Sequence, residues 1–253
     1  MTTNHWIAGT ANPQANARLF CLPFAGGGTL TYRKWHQHLP PEIELRPVRL
    51  PGREGRFDEA CYRKARPLAQ ALASALAPYL DLPFAFFGHS MGALLSFELA
   101  RELRRRGTPE PFCLMASGRR APQLHLSQAP TPLHTLSDPA LIDKLRSYGG
   151  TPKAVLDHDK LMELFLPAIR ADFAIVETYV HAPEAPFDCA IRAFGGEMDT
   201  GTERAALDAW REQTTGSFAL RLFPGDHFYL NKFDGAPLAQ AVAEELESLL
   251  AGK

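Results

Sequence analysis

The chain has 253 residues, 45% of them hydrophobic and 22% charged, enough for one large domain with a sizeable core. Its 27 basic and 28 acidic side chains nearly cancel, so charge gives no basis for nucleic acid as a partner. The start, Met1-Thr2-Thr3-Asn4-His5-Trp6, has neither the basic nor the apolar region of a secretory signal, and no apolar run reaches the roughly 20 residues that span a bilayer.

Short apolar runs alternate with longer helical patterns. Strands are expected at Arg18–Leu22, Ile43–Leu50, Phe84–Phe87, Phe112–Ala116, Cys189–Phe194 and Phe218–Phe223. The continuous apolar character of Phe84–Phe87 fits a strand covered on both faces. Helical spacing marks Tyr62–Leu80, Ala93–Arg106, Thr202–Gln213 and Pro237–Leu250. Arg104, Arg105 and Arg106 suit the negative end of a helix and Gly107 suits the position after it, so they read as a helix terminus and not a binding patch. Strand and helix in alternation predict an α/β fold: a mostly parallel central sheet with helices on both faces. Cys21, Cys61, Cys113 and Cys189 lie far apart with no C-x-x-C pair, and read as reduced thiols of a cytoplasmic protein.

One stretch breaks the rhythm. About seventy residues separate the fourth and fifth strands, far more than an α/β connection needs. Pro122, Pro130 and Pro132 open it, and amphipathic segments follow at Pro139–Tyr148 and His158–Tyr179. We read residues 122–181 as a helical lid inserted into a single domain spanning 1–253, with Phe165, Ile169 and Phe173 turned inward.

The chemistry concentrates in Gly88-His89-Ser90-Met91-Gly92, a G-x-S-x-G sequence between an apolar run and a helical pattern. A strand–turn–helix in this context is a nucleophile elbow, in which small residues let a sharp turn expose the serine hydroxyl. Ser90 then needs a base, and an acid to orient it. His227 follows the last strand through Pro224-Gly225-Asp226, at the expected carboxyl edge of the sheet. His89 adjoins the serine and is expected to pack the elbow. For the acid, the segment after the fourth strand, Ser117-Gly118-Arg119-Arg120, offers no carboxylate, whereas Gly195-Gly196-Glu197-Met198-Asp199 follows the fifth. Chain order favours Asp199, with Glu197 and Asp226 as rivals. An oxyanion hole would use the backbone N–H of Met91 and of Phe24, or Ala25 next to it, in the loop Pro23-Phe24-Ala25-Gly26-Gly27-Gly28. That loop lacks the ending and spacing of a phosphate-binding loop.

Leu22-Pro23-Phe24-Ala25-Gly26-Gly27, Leu50-Pro51-Gly52-Arg53-Glu54-Gly55-Arg56, the elbow, Phe194 to Asp199 and Gly225-Asp226-His227-Phe228-Tyr229-Leu230 together resemble the type II thioesterases of nonribosomal peptide and polyketide synthase pathways. The resemblance runs in order along almost the whole chain. It implies the α/β-hydrolase fold, Ser90, Asp199 and His227 as the triad, and hydrolysis of acyl groups held on the phosphopantetheine arm of acyl or peptidyl carrier proteins. Such an editing enzyme of antibiotic biosynthesis needs no metal or organic cofactor, and a monomer is expected. A general carboxylesterase or lipase would use the same triad, and a non-catalytic binding protein could share the scaffold. Arg49, Arg53 and Arg56 admit two readings: a contact for the pantetheine phosphate or carrier protein, or a solvated loop.

Overall fold

The computed structural model describes residues 5–125 and 131–252. Pro130 of the insertion and the Met1–Asn4 start lie outside the described residues. Six strands form one parallel sheet: β1 (Ala17–Leu22), β2 (Ile43–Pro47), β3 (Phe84–His89), β4 (Cys113–Ser117), β5 (Ala190–Gly196) and β6 (Phe218–Phe223), in the order β2-β1-β3-β4-β5-β6. β2 ends at Pro47, short of the expected Leu50, because Val48 turns to bridge Ile7 in antiparallel fashion.

The period-two alternation of the strands sorts their side chains onto two cores. Phe20, Phe84 and Phe86 face α1 (Ala65–Leu76) and α2 (Met91–Arg105), packing on Leu68, Leu72, Leu95 and Leu99. Cys21, Ala85 and Phe87 face the other way, onto Tyr32, Trp35 and a helix that ends the fold, where Leu238, Val242 and Leu246 cover them. Both faces are therefore closed, which explains why β3 is buried at every position. β6, at the sheet's edge, alternates between half-buried and exposed residues until Phe223, which is buried.

α1 is shorter than the expected Tyr62–Leu80, giving way to a 3-10 turn at Ala77–Tyr79 where Pro78 cannot donate a helical hydrogen bond. The residues around Tyr32 and Trp35 form two short 3-10 turns. The insertion contributes α3 (Asp138–Tyr148), α4 (Lys153–Leu156) and α5 (Asp159–Glu177). α4 was not apparent from spacing, being a single turn. Leu141, Leu145, Leu156, Met162, Leu166 and Ile169 give these helices a small core of their own. After β5 the expected helix at Thr202–Gln213 is split between α6 (Arg204–Asp208) and a 3-10 turn, and the chain closes with α7 (Ala236–Ala251).

The strand order positions the site. The chain runs from β1 outward to β2, then crosses back to β3 on the other side of β1. At such a reversal the connections leave the carboxyl edge in opposite directions and open a crevice between them. The loop after β1 and the turn after β3 both lie there, with Leu22 in register with Gly88.

At that crossing the backbones touch. A Cβ on Gly88 would collide with the carbonyl group of Gly92, and a Cβ on Gly92 with the carbonyl oxygens of Leu22 and Pro23. Neither neighbour is a flexible side-chain end that could move aside. Gly92→Ala is therefore expected to lower the unfolding free energy by at least about 2 kcal/mol, measured by urea denaturation, while Gly55→Ala, which meets nothing within 4 Å, stays near wild type.

Candidate active site

β3 delivers the chain to Ser90 and α2 takes it away at Met91, leaving the serine as the only residue between strand and helix. Its backbone sits at φ 53°, ψ −110°, a conformation unfavourable for a residue with a Cβ. The turn is held by the Ser90 N–H, which donates to the Ser117 carbonyl at 2.7 Å, and by the Ser90 carbonyl, which accepts from Ala93 at 3.2 Å. Met91 is the first residue of α2, so its N–H is among those that no helical carbonyl accepts. Across the crevice, the loop after β1 turns tightly at Phe24, whose carbonyl accepts the Gly27 N–H at 2.8 Å.

The loops after β5 and β6 are joined by their backbones. Glu197 N–H donates to Phe223 O and Met198 N–H to Gly225 O, each at 2.9 Å. This pairing sets Asp199 beside His227. Asp199 is buried, and its Oδ2 accepts from His227 Nδ1 at 2.6 Å while Oδ1 accepts the Gly201 N–H at 2.9 Å. Burial would raise its carboxyl pKa. The hydrogen bond and charge of His227, with the Gly201 amide, outweigh that and hold it below its ordinary 3.8. Since a carboxylate can only accept, Nδ1 carries the proton and Nε2 is the nitrogen left free to act as a base. The rivals take other parts: Asp226 Oδ1 accepts the Phe228 N–H at 2.9 Å, and Glu197 points to solvent.

Ser90 and His227 line the same cleft of about 470 Å³, with Asp199, Phe24 and Phe228. Phe228 packs edge-on against both Phe24 and His227, at centroid distances of 5.4 and 5.2 Å, and so joins the loop after β1 to the loop after β6. Behind them His89 is fully buried. Its Nδ1 lies 2.8 Å from Ser117 Oγ, which lies 2.6 Å from the Tyr229 hydroxyl. Burial first, and the nearby His227 second, push the His89 pKa well down and keep it neutral. His89 thus packs the elbow as expected. Its partners Ser117 and Tyr229 carried no signal in sequence, because a hydroxyl pair formed between the end of β4 and the segment after β6 has no periodicity.

Of the three insertion residues expected to turn inward, the cleft receives only Phe173, with Tyr148 beside it at 6.5 Å. Phe165 stacks instead on Phe57 at 6.1 Å, and Ile169 is buried in the insertion's core. Arg53 and Arg56 fit neither reading proposed for the arginine loop. Arg53 is buried in a two-point pair with Asp172 of α5, and Arg56 is buried over the Trp6 ring and bonded to Glu59 and Arg49 O. Arg49 pairs with Glu54 at 3.0 Å. The Arg53 and Arg56 guanidinium groups are spent inside the protein, and Arg49 is half-buried. Asp172 escaped the sequence reading, although a carboxylate three and four residues from Ile169 and Ala168, on an apolar stripe, was a signal for a buried partner.

The thioesterase domain family matches residues 17–250. The gramicidin S biosynthesis protein GrsT of Aneurinibacillus migulanus is 41% identical over 253 residues, covering 99% of this chain and 97% of its own. Among solved structures, the RedJ thioesterase of the prodiginine pathway in Streptomyces coelicolor overlays with a TM-score of 0.86 at 41% identity, covering 93% of this chain and 92% of its own. The type II thioesterase BorB from the borrelidin biosynthetic cluster gives a TM-score of 0.86 at 37% identity, covering 95% and 97%. The chain belongs to the thioesterase family and is a thioester hydrolase on the α/β-hydrolase fold.

Proposed function

We propose that this enzyme removes acyl groups from the phosphopantetheine arm of acyl or peptidyl carrier proteins in nonribosomal peptide or polyketide synthesis. The relatives' pathways support the substrate class, and the observation that carries the chemistry is the 2.6 Å Asp199–His227 pair in the cleft that also holds Ser90. In this reading Ser90 attacks the thioester carbonyl while His227 Nε2 takes the hydroxyl proton. The carbonyl oxygen becomes an anion facing the N–H groups of Met91 and Phe24. Collapse breaks the C–S bond, and the imidazolium returns its proton to the departing pantetheine thiol. Water then attacks the acyl-Ser90 ester by the same route and releases the free acid. Asp199 holds the imidazole's orientation and balances its transient charge. Every proton is handled by these groups, so the proposed reaction calls for no metal or organic cofactor. The insertion acts as the lid over this cleft, and the enzyme works as a cytoplasmic monomer.

Ser90→Ala is expected to abolish hydrolysis of an acyl-carrier thioester, and mass spectrometry of the wild type under rapid quench should find acyl-Ser90. Retained turnover in Ser90→Ala would exclude the assignment. Wild-type preference for the carrier thioester over a matched oxygen ester separates this reading from a general esterase, and the opposite preference would reject it.

Asp199→Asn should lower kcat by about three to four orders of magnitude by presenting the wrong imidazole tautomer. Because the Asp199 pKa is depressed on folding, its carboxylate contributes stability above the unfolded value of 3.8, lost as pH falls through the lower folded value. The difference in melting temperature between wild type and Asp199→Asn should accordingly shrink on acidification below about pH 4. A pH-independent difference would contradict the linkage.

Phe173→Ala should shift the preferred acyl length upward, read as the ratio of kcat/KM for long and acetyl thioesters. Truncating an aromatic can cost about 3–5 kcal/mol, so rates are taken per folded molecule. An unchanged ratio would mean that Phe173 does not select substrate.

A further inference from the structure

The loop after β1 is shaped largely from outside itself. Its Gly26 N–H donates to Asp172 Oδ2 at 2.8 Å, across 146 positions of sequence. Asp172 lies on α5 of the insertion and is 2% exposed. The same carboxylate receives Arg53 at two points, Nη1 to Oδ2 at 2.8 Å and Nη2 to Oδ1 at 2.7 Å, and Nη1 also donates to the Gly27 carbonyl at 2.8 Å. Gly26 stands at φ 76° directly beneath Ile169, so α5 rests on the loop's backbone. At the far end Glu54 Oε1 accepts the Thr29 N–H at 2.7 Å. Arg53 and Glu54, adjacent in sequence, thus hold the glycine loop at two points, Gly27 and Thr29.

A buried ion pair contributes little net stability, because desolvation offsets most of its attraction. Direction is what these bonds supply. An oxyanion hole lowers a barrier only when its donors already point at the site where charge develops. Phe24 is two residues from Gly26, and its carbonyl is turned by Gly27, so the heading of the loop's amides depends on where those two glycines are held.

We propose that Asp172 and Arg53 are positioning residues for the thioesterase reaction. Through the Asp172 carboxylate, helix α5 supplies the acceptor that fixes the Phe24 loop, so a seated insertion and a formed oxyanion hole are one state. This rests on the reading of Ser90 as nucleophile and Phe24 as oxyanion donor. Such a role acts on the transition state and leaves ground-state binding unaltered, which predicts an effect on kcat and not on KM.

Two double variants test it. Asp172→Ala by itself would strand the buried Arg53 charge, so both charges are removed together. Arg53→Met/Asp172→Leu packs the site without an acceptor for Gly26, and Arg53→Met/Asp172→Asn returns an amide oxygen to that place. Both should label to completion at Ser90 with a fluorophosphonate. The Met/Leu enzyme should lose about ten- to hundredfold in kcat on an acetyl thioester, with KM within twofold, and lose the same factor in affinity for phenylboronic acid, whose adduct carries a tetrahedral anion. The Met/Asn enzyme should recover most of both. Should Met/Leu fail to fold, Asp172→Glu keeps the charge, displaces the acceptor by one methylene and should show the same kcat-only loss. Wild-type rates in Met/Leu, equal losses in both doubles, or a change confined to KM would overturn the proposal. Failure of the wild type to bind the boronate would overturn the active-site reading itself, and the clamp with it. Normal boronate binding by the wild type, with unaffected doubles, overturns the clamp alone.

Discussion

Ser90 is held in a backbone conformation that it would leave if its surroundings allowed. At φ 53° and ψ −110° the residue stores about 1–3 kcal/mol of strain. The restraint is spread over the structure: β3 is buried throughout its length, the Ser90 N–H is tied to the Ser117 carbonyl of β4, and α2 starts at the next residue. The strain has a use. In the proposed mechanism it lifts the hydroxyl above the sheet edge and sets the unpaired first amides of α2, with the positive end of the helix, behind the reacting carbonyl.

The other parts of the site follow from which strands are neighbours. β1 lies beside β3, so the glycine loop meets the elbow backbone to backbone, and only glycine fits at Gly88 and Gly92. β5 lies beside β6, so their two loops join through the Glu197 and Met198 amides and bring Asp199 to His227. Phe228 then fills the space between the two halves, touching Phe24 on one side and His227 on the other. A Cβ on Gly150 of the insertion would strike that same ring, so the insertion bears on the base loop as well as on the glycine loop.

Two imidazoles in opposite environments stand 5.0 Å apart between ring centres. His227 is partly exposed and bonded to a carboxylate. His89 is enclosed, bonded to a hydroxyl and kept neutral mainly by burial. In the proposed mechanism a second cation at this distance would oppose the charge that forms on His227 during attack. On that reading the burial that keeps His89 neutral also removes the conflict.

Much of this was legible in the chain itself. Strand and helix identities follow from apolar spacing, the strand–turn–helix at Ser90 from five adjacent residues, and the pairing of Asp199 with His227 from their order along the chain, because each depends on near neighbours or on topology that parallel sheets constrain strongly. Strand and helix ends were less legible, as at Pro47 and Leu76, since termination reflects competing local bonds. What tertiary structure alone decided is the partner of each long side chain. Arg53 and Arg56 read as surface charges until α5 and Trp6 are brought over them, and Phe165 and Phe173 read as equivalent until the helix's rotation sends one to Phe57 and the other to the cleft. Asp172 meets Gly26 across 146 residues. Periodicity specifies which face of a helix is apolar; only packing specifies what that face is set against.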